Sequence, residues 1–257
     1  MKQHLARLLF NTELMPGYHL MRLESPNISS EGKPGQFVSI SCGQDTILRR
    51  PLSIHRVDSP KEFSILFAVV GSGTEWLAQR KKGDMLDVLG PLGNGFLIPD
   101  SSKRLLLAAG GIGIAPLIFL AQKAVNNGKT VRLLLGASTK DCLYPLRLLP
   151  QKVETFITTE DGSSGVKGKL TDILPEHVDW AERVYACGPL AMYKAMAEHK
   201  EVLRIREKIQ LSLEVRLGCG IGACLGCSIK TAKGMKKVCS DGPVFNLDEV
   251  LLEEVRI

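Results

Sequence analysis

Leu105-Leu106-Leu107-Ala108-Ala109-Gly110-Gly111-Ile112-Gly113-Ile114-Ala115-Pro116 decides how the rest of the chain is read. The run stays uncharged as far as Ala121, which invites a reading as a membrane span. A spanning helix needs about 20 apolar residues, and this run is shorter. Gly110, Gly111, Gly113 and Pro116 sit at its centre, and such residues break a helix. The stretch therefore reads as a buried strand, a tight glycine turn and a helix, with Pro116 suited to a first helical turn.

Downstream, Val131–Leu135, Val153–Thr158 and Arg183–Cys187 are further buried strands, and a helix follows from Leu190 to His199. Apolar strands joined by helices predict a parallel sheet covered on both faces. Thr159–Gly168 is polar and glycine-rich, as a surface loop is, and Ile209–Glu214 alternates like a last strand. Upstream, as far as about Pro99, the texture differs. Short apolar runs at Phe37–Ile40, Phe63–Val70 and Met85–Leu89 are separated by turn signals such as Lys33-Pro34-Gly35, Asp58-Ser59-Pro60 and Lys82-Gly83-Asp84. That punctuation predicts a small antiparallel barrel or sandwich.

Composition narrows the class. The chain has 257 residues, 44% hydrophobic and 23% charged, which is too apolar for disorder and too interrupted by charge for a membrane-embedded protein. Aromatic residues make up 5%, few for a module that stacks bases, and nothing argues for nucleic acid. The net charge of +6 is spread along the chain. Arg80-Lys81-Lys82, Lys233 and Lys236-Lys237 read as solvated turns. Met1–Arg7 lacks the long apolar core of a signal peptide, so a reducing cytoplasm is expected.

Of seven cysteines, Cys42, Cys142 and Cys187 are scattered, while Cys219, Cys224, Cys227 and Cys239 fall together. The spacing C-x4-C-x2-C followed by a fourth cysteine is the plant-type opening for a [2Fe–2S] cluster. Glycines at 218, 220, 222 and 226 let the loop turn tightly and bring N–H groups towards the sulfurs. Structural zinc, the alternative, favours two separate C-x2–4-C knuckles, and here one such pair exists cleanly while the second half offers a lone Cys239.

Glycines between a strand and a helix let a phosphate approach the backbone and the positive helix end. Gly110-Gly111-Ile112-Gly113 departs from the G-x-G-x-x-G fingerprint and alone describes a tight turn. Cys187-Gly188-Pro189 repeats the arrangement after another strand, and two such turns at one sheet edge suit a dinucleotide. In the β unit, Leu48-Arg49-Arg50-Pro51-Leu52-Ser53 places two guanidinium groups and a hydroxyl together, able to hold a pyrophosphate or a flavin edge. Gly71-Ser72-Gly73-Thr74 offers further donors.

These elements, in this order, resemble the ferredoxin–NADP reductase superfamily, and more closely the electron-transfer subunits of B-type dihydroorotate dehydrogenase, whose C-terminal cysteine loop and following Asp241-Gly242-Pro243-Val244-Phe245 are similar. The short gap before Cys239 sets the loop apart from an ordinary ferredoxin domain. The resemblance implies an α+β/α/β multidomain fold. Residues 1–100 form an antiparallel β-barrel FAD domain, 101–208 a parallel α/β NAD domain and 209–257 a small [2Fe–2S] loop domain. It implies FAD at Arg50, Pro51, Leu52, Ser53, Leu66, Phe67, Ala68, Gly73 and Thr74. It implies NAD at Gly110, Gly111, Gly113, Cys187, Gly188 and Pro189, and iron at Cys219, Cys224, Cys227 and Cys239.

The resemblance further implies a separate FMN-containing catalytic subunit that oxidises dihydroorotate, in a heterotetramer of two of each, within pyrimidine biosynthesis. Electrons would pass singly through the cluster to FAD, which gives a hydride to NAD+. No protein acid, base or nucleophile is then required, and His55, His177 and His199 read as surface or packing residues. Ser138 and Lys140 could serve a 2′-phosphate pocket, which Asp141 opposes. Three other readings stay open. They are a small subunit of an NAD(P)H-dependent ferredoxin or sulfide oxidoreductase, a stand-alone NADH reductase, and a zinc-stabilised, non-catalytic nucleotide-binding regulator.

Overall fold

Six antiparallel strands close the N-terminal part into a barrel: β1 (Lys2–Met15), β2 (Tyr18–Glu24), β3 (Phe37–Ile40), β4 (Arg50–Ser59), β5 (Glu62–Ala68) and β6 (Met85–Leu92), in the order β1-β2-β5-β4-β3-β6. The computed structural model describes residues 2–43 and 46–255. β6 shows why the barrel closes. Its residues alternate between outward and buried, and Leu86 and Val88 meet Ala6, Leu8, Val38, Ile40, Ile54, Phe63 and Ile65 inside. Two short helices, α1 (Pro26–Glu31) and α2 (Ser72–Ala78), connect strands of the barrel.

β1, β2 and β4 lie outside the strands read from the sequence, since their apolar runs are at most three residues long, as at Leu8-Leu9-Phe10 in β1. Their half-exposed outer faces mix charge with the inward residues, which blurs the period of two. Within the segment read for a leader, Lys2–Arg7 begins β1, and Met1 lies outside the described residues.

The decisive stretch folds as read. β7 (Arg104–Gly110) enters a single 3₁₀ turn at Gly111–Gly113, and α3 (Ile114–Asn126) follows. β8 (Thr130–Ala137), β9 (Val153–Thr159), a two-residue β10 (Val166–Lys167), β11 (Arg183–Cys187) and β12 (Ile209–Ser212) extend a parallel sheet. Helices α4 (Leu170–Ile173), α5 (Pro175–Val178), α6 (Leu190–Glu198) and α7 (Lys200–Arg204) lie between β10 and β12. Leu105, Leu107 and Ala109 pack with Leu117, Leu120 and Ala121 of α3 on one face, while Leu106 and Ala108 pack with Leu174, Tyr193 and Val202 on the other. Both faces are therefore covered, which is why these strands read as continuous apolar runs.

Two features differ from the sequence reading. The polar segment 159–168 contains β10, paired with β9. The strand read as Ile209–Glu214 ends at Ser212, because the Leu213 N–H turns to the Pro243 carbonyl at 2.9 Å. The C-terminal segment then forms a hairpin of β13 (Ser228–Thr231) and β14 (Gly234–Lys237), and returns as β15 (Val244–Asn246), antiparallel to β12 at the edge of the seven-stranded sheet. Among the described residues no helix is long and apolar enough to cross a membrane.

Candidate functional site

A cavity of about 370 Å³ opens where the barrel meets the sheet. β4 supplies Arg50, Pro51, Leu52 and Ser53, β5 supplies Leu66, Phe67 and Ala68, and Thr74 lies at the start of α2. The structure thus brings the residues expected for FAD to one cavity, with Gly73 directly behind Arg50. A Cβ at Gly73 would meet the Arg50 guanidinium, so glycine there leaves room for Arg50 in its present position.

The two arginines separate in role. Arg49 donates to the Asp87 carboxylate at 2.6 Å and to the Ser39 and Asp87 carbonyls, tying the chain just before β4 to β3 and β6. Arg50 donates to the Leu48 carbonyl at 2.5 Å, and among the described residues no carboxylate pairs with it. A guanidinium so placed, with donors left over, suits an anionic ligand. The Thr74 hydroxyl is already engaged, donating to the Gly71 carbonyl and accepting from the Val70 and Gly71 N–H groups. Its part is to shape the turn.

A second cavity of about 390 Å³ runs along the carboxyl ends of β7, β8, β9 and β11. Gly110, Gly111, Gly188 and Pro189 line it, as the strand–turn–helix pattern predicts. Gly113 and Cys187 do not line it. They pack on each other behind the wall, where a side chain at Gly113 would strike the Cys187 carbonyl. Ser138 reaches the cavity, whereas Lys140 and Asp141 turn aside in a 3₁₀ segment. Glu160, Lys169 and Thr158 line it as well. The Thr158 hydroxyl is buried and has no hydrogen-bond partner among the described residues.

The cysteine loop wraps its own sulfurs in backbone donors. Ile221 and Cys224 N–H groups donate to the Cys219 sulfur at 3.5 and 3.4 Å, Gly222 to Cys239 at 3.1 Å, Gly226 to Cys224 at 3.4 Å and Cys239 to Cys227 at 3.4 Å. Positive φ at Gly220 (72°) and Gly222 (83°) turns these groups inward. The Ile221 donor, joined by that of Cys224, pulls the Cys219 thiol down to about 6. Burial, and then the neighbouring Cys227 thiol, push Cys239 up to about 11.

Backbone bonds link the four cysteines as two pairs, the Cys224 N–H on the Cys219 sulfur and the Cys239 N–H on the Cys227 sulfur. Among the described residues no three ligating side chains gather about one point. Two pairs of thiols suit two irons, each taking two thiolates. The Ser240 hydroxyl, next to Cys239 on the chain, is buried without a partner among the described residues and lies beside Gly222 of the loop.

Sequence reasoning missed the residues that join these sites. Ile112 and Glu214 line both cavities, and the first cavity also takes Leu217, two residues before Cys219, and Val238, next to Cys239. Phe37 lines the same cavity and lies against the loop at Gly220. Burial pushes the Glu214 carboxyl up, and the Cys187 thiol lies 3.9 Å from it. The available signal was a carboxylate closing the alternating run Ile209–Glu214, immediately before the cysteines.

Residues 214–251 match the family model described as the iron–sulfur cluster binding domain of dihydroorotate dehydrogenase B. The chain is 40% identical to the "Dihydroorotate dehydrogenase B (NAD(+)), electron transfer subunit" of Desulforamulus reducens, over 96% of this chain and 98% of that protein. It is also 40% identical to the subunit of the same name from Bacillus cereus strain Q1, over 93% and 95%. Among solved structures it resembles one described as an NADH-dependent reduced ferredoxin-NADP oxidoreductase, with a TM-score of 0.83 and 31% identity over 97% of this chain and 91% of that one. Phthalate dioxygenase reductase, described as a modular structure for electron transfer from pyridine nucleotides to [2Fe–2S], shares the fold at a TM-score of 0.68 and 16% identity, over 92% and 94%.

Proposed function

The chain belongs to the family of dihydroorotate dehydrogenase B electron transfer subunits, and from that premise we propose how its parts divide the work. It is a flavin and iron–sulfur oxidoreductase subunit that carries electrons from an FMN-containing catalytic subunit to NAD+ in pyrimidine biosynthesis. The first cavity takes FAD, the second takes NAD, and Cys219, Cys224, Cys227 and Cys239 hold a [2Fe–2S] cluster. A cluster exchanges single electrons and nicotinamide exchanges a hydride, so a flavin between them supplies the conversion.

The observation that carries this reading is the order of the three sites. The dinucleotide cavity shares Ile112 and Glu214 with the flavin cavity, and the flavin cavity is lined by Leu217, two residues before Cys219, by Val238, next to Cys239, and by Phe37, which lies against the loop at Gly220. That order matches the order of electron flow that the reading requires.

The chain's own residues bind and orient. Arg50 offers its guanidinium to the flavin phosphates, while Ser53 and the apolar Leu52, Leu66, Phe67 and Ala68 form the cavity walls. Gly110, Gly111 and Gly188 let the dinucleotide approach the sheet edge, and the N–H groups around the cysteines stabilise thiolate charge. Residues 1–100, 101–208 and 209–257 serve as the flavin, nucleotide and cluster units, with β12 of the third completing the sheet of the second. A heterotetramer of two of each subunit, working in the cytoplasm, completes the proposal.

The test is the visible spectrum of the anaerobically purified complex, with extraction of its cofactors. The expected result is one FAD and two irons per chain, with absorbance near ~450 nm that bleaches on adding NADH. A colourless, iron-free protein that binds no FAD overturns the reading. The likeness to the NADH-dependent ferredoxin-NADP oxidoreductase structure supports a second reading, a small subunit of such an enzyme. Co-purification of a second flavin reductase instead of an FMN protein would select it.

A further inference from the structure

His55 lies on β4 two residues beyond Ser53, on the strand that walls the flavin cavity, and is 1% exposed. Its Nδ1 is 3.0 Å from the Ala115 carbonyl oxygen and its Nε2 is 3.1 Å from the Tyr144 hydroxyl. A carbonyl can only accept, so Nδ1 carries the proton and donates to Ala115. Nε2 is then the bare nitrogen and accepts from Tyr144. Both ring nitrogens are satisfied in a buried setting, and the partners dictate the tautomer.

Neither partner belongs to the barrel. Ala115 is the second residue of α3, directly after the glycine turn of the dinucleotide cavity, and it also lines the flavin cavity. Tyr144, 2% exposed, lies beyond the end of β8, which contributes Gly136 and Ala137 to the dinucleotide cavity. One imidazole therefore ties the flavin strand to the start of α3, which follows the glycine turn of the nucleotide cavity, and to the segment after β8, whose end lines that cavity. Hydride exchange needs its partners aligned to fractions of an ångström, and such alignment comes from groups locked by packing and hydrogen bonds behind the ligand.

We propose that His55, held by Tyr144, is a positioning residue for hydride exchange: it fixes the first turn of α3 against the flavin strand and so sets how the nicotinamide meets the flavin. The proposal rests on the functional reading above. It excludes a role in chemistry, since His55 is sealed from both cavities, and it goes beyond simple filling of the contact between barrel and sheet.

The experiment uses the holoprotein purified with its catalytic partner, as wild type, Tyr144→Phe, His55→Leu and the double variant. Tyr144→Phe removes one hydroxyl and keeps the ring. With full flavin and iron, it should lower the anaerobic rate of flavin reduction by NADH about tenfold. It should also weaken the long-wavelength nicotinamide–flavin charge-transfer absorbance, with the NADH Kd changed less than about twofold. His55→Leu should lose more, and the double variant no more than His55→Leu, because both act through one bond network.

An unchanged rate and an unchanged charge-transfer band in flavin-replete Tyr144→Phe overturn the proposal. So does a variant that loses flavin or thermal stability while each remaining flavin reacts at the wild-type rate, since that is a purely structural role. A wild-type protein that contains FAD but is not reduced by NADH overturns the functional reading itself, and the wild-type control separates the two failures.

Discussion

The backbone N–H of Gly222 points at the sulfur of Cys239 from 3.1 Å, the shortest of the N–H···S contacts described for the loop. Gly222 holds this position at φ 83°, and a Cβ there would lie 3.0 Å from the Ser240 hydroxyl. Gly222→Ala should therefore cost about 1–2 kcal/mol of backbone strain and displace the donor. A thiolate that loses a hydrogen bond is more electron-rich, so the cluster midpoint should fall by some tens of millivolts, on the order of 1 kcal/mol for one electron. Potentiometric titration followed by electron paramagnetic resonance reads the shift, and an unmoved midpoint at full iron loading refutes it.

Cys224 is exposed, and its neighbours belong to the loop itself. Cys224→Ser should strip the iron while leaving the barrel and the sheet folded, since neither core contains that side chain. Iron analysis should fall towards zero with FAD content and far-ultraviolet circular dichroism retained. Full iron retention counts against the ligand assignment.

Arg50→Ala and Arg49→Ala should separate. Loss of the Arg50 guanidinium should weaken FAD binding about 10- to 100-fold, the worth of one charge-assisted contact of about 1.5–3 kcal/mol. Loss of Arg49 breaks its bond to Asp87, a partly exposed pair, and should cost about 1 kcal/mol of stability or less with flavin affinity retained. Fluorescence titration of the apoprotein with FAD and thermal melts distinguish the two. Equal flavin affinity in both variants removes Arg50 from the site.

Burial pushes the His55 imidazole down to about 4, from the 6.5 of a free side chain. The unfolded chain then takes up a proton that the folded chain refuses. The stabilisation is fully present above about pH 6.5, is lost as pH falls towards 4, and changes little from this source below that. The integrated loss is about 3 kcal/mol. Urea midpoints measured between pH 7 and pH 4 should fall for the wild type, and less steeply for His55→Leu. Parallel pH profiles for the two proteins would refute the assignment.

Much of the architecture was legible because its signals are local. A buried parallel strand is a run of apolar side chains, and Leu105–Ala109, Val131–Leu135 and Arg183–Cys187 announce themselves whatever they pack against. The glycine turn after β7 needs a residue at φ 54°, and Gly111 sits there. The barrel was harder to see. In β4 most residues are half-buried, and in β1 exposed, half-buried and buried residues mix, with Leu5 exposed, so polar and apolar residues do not alternate cleanly. β15 has three residues and is a strand only because β12 leaves an open edge beside it.

By itself, the order of residues determined the tight cysteine turn at 219–227, the glycine turns and the strand-and-helix alternation, since each depends on backbone geometry within a dozen neighbours. The tertiary structure alone decided which of two adjacent arginines faces the cavity, that Gly113 and Cys187 pack behind a wall, and that Ile112 and Glu214 stand between two cavities. Those outcomes depend on strand register and on segments about a hundred residues apart meeting in space, and no short-range pattern along the chain encodes such a meeting.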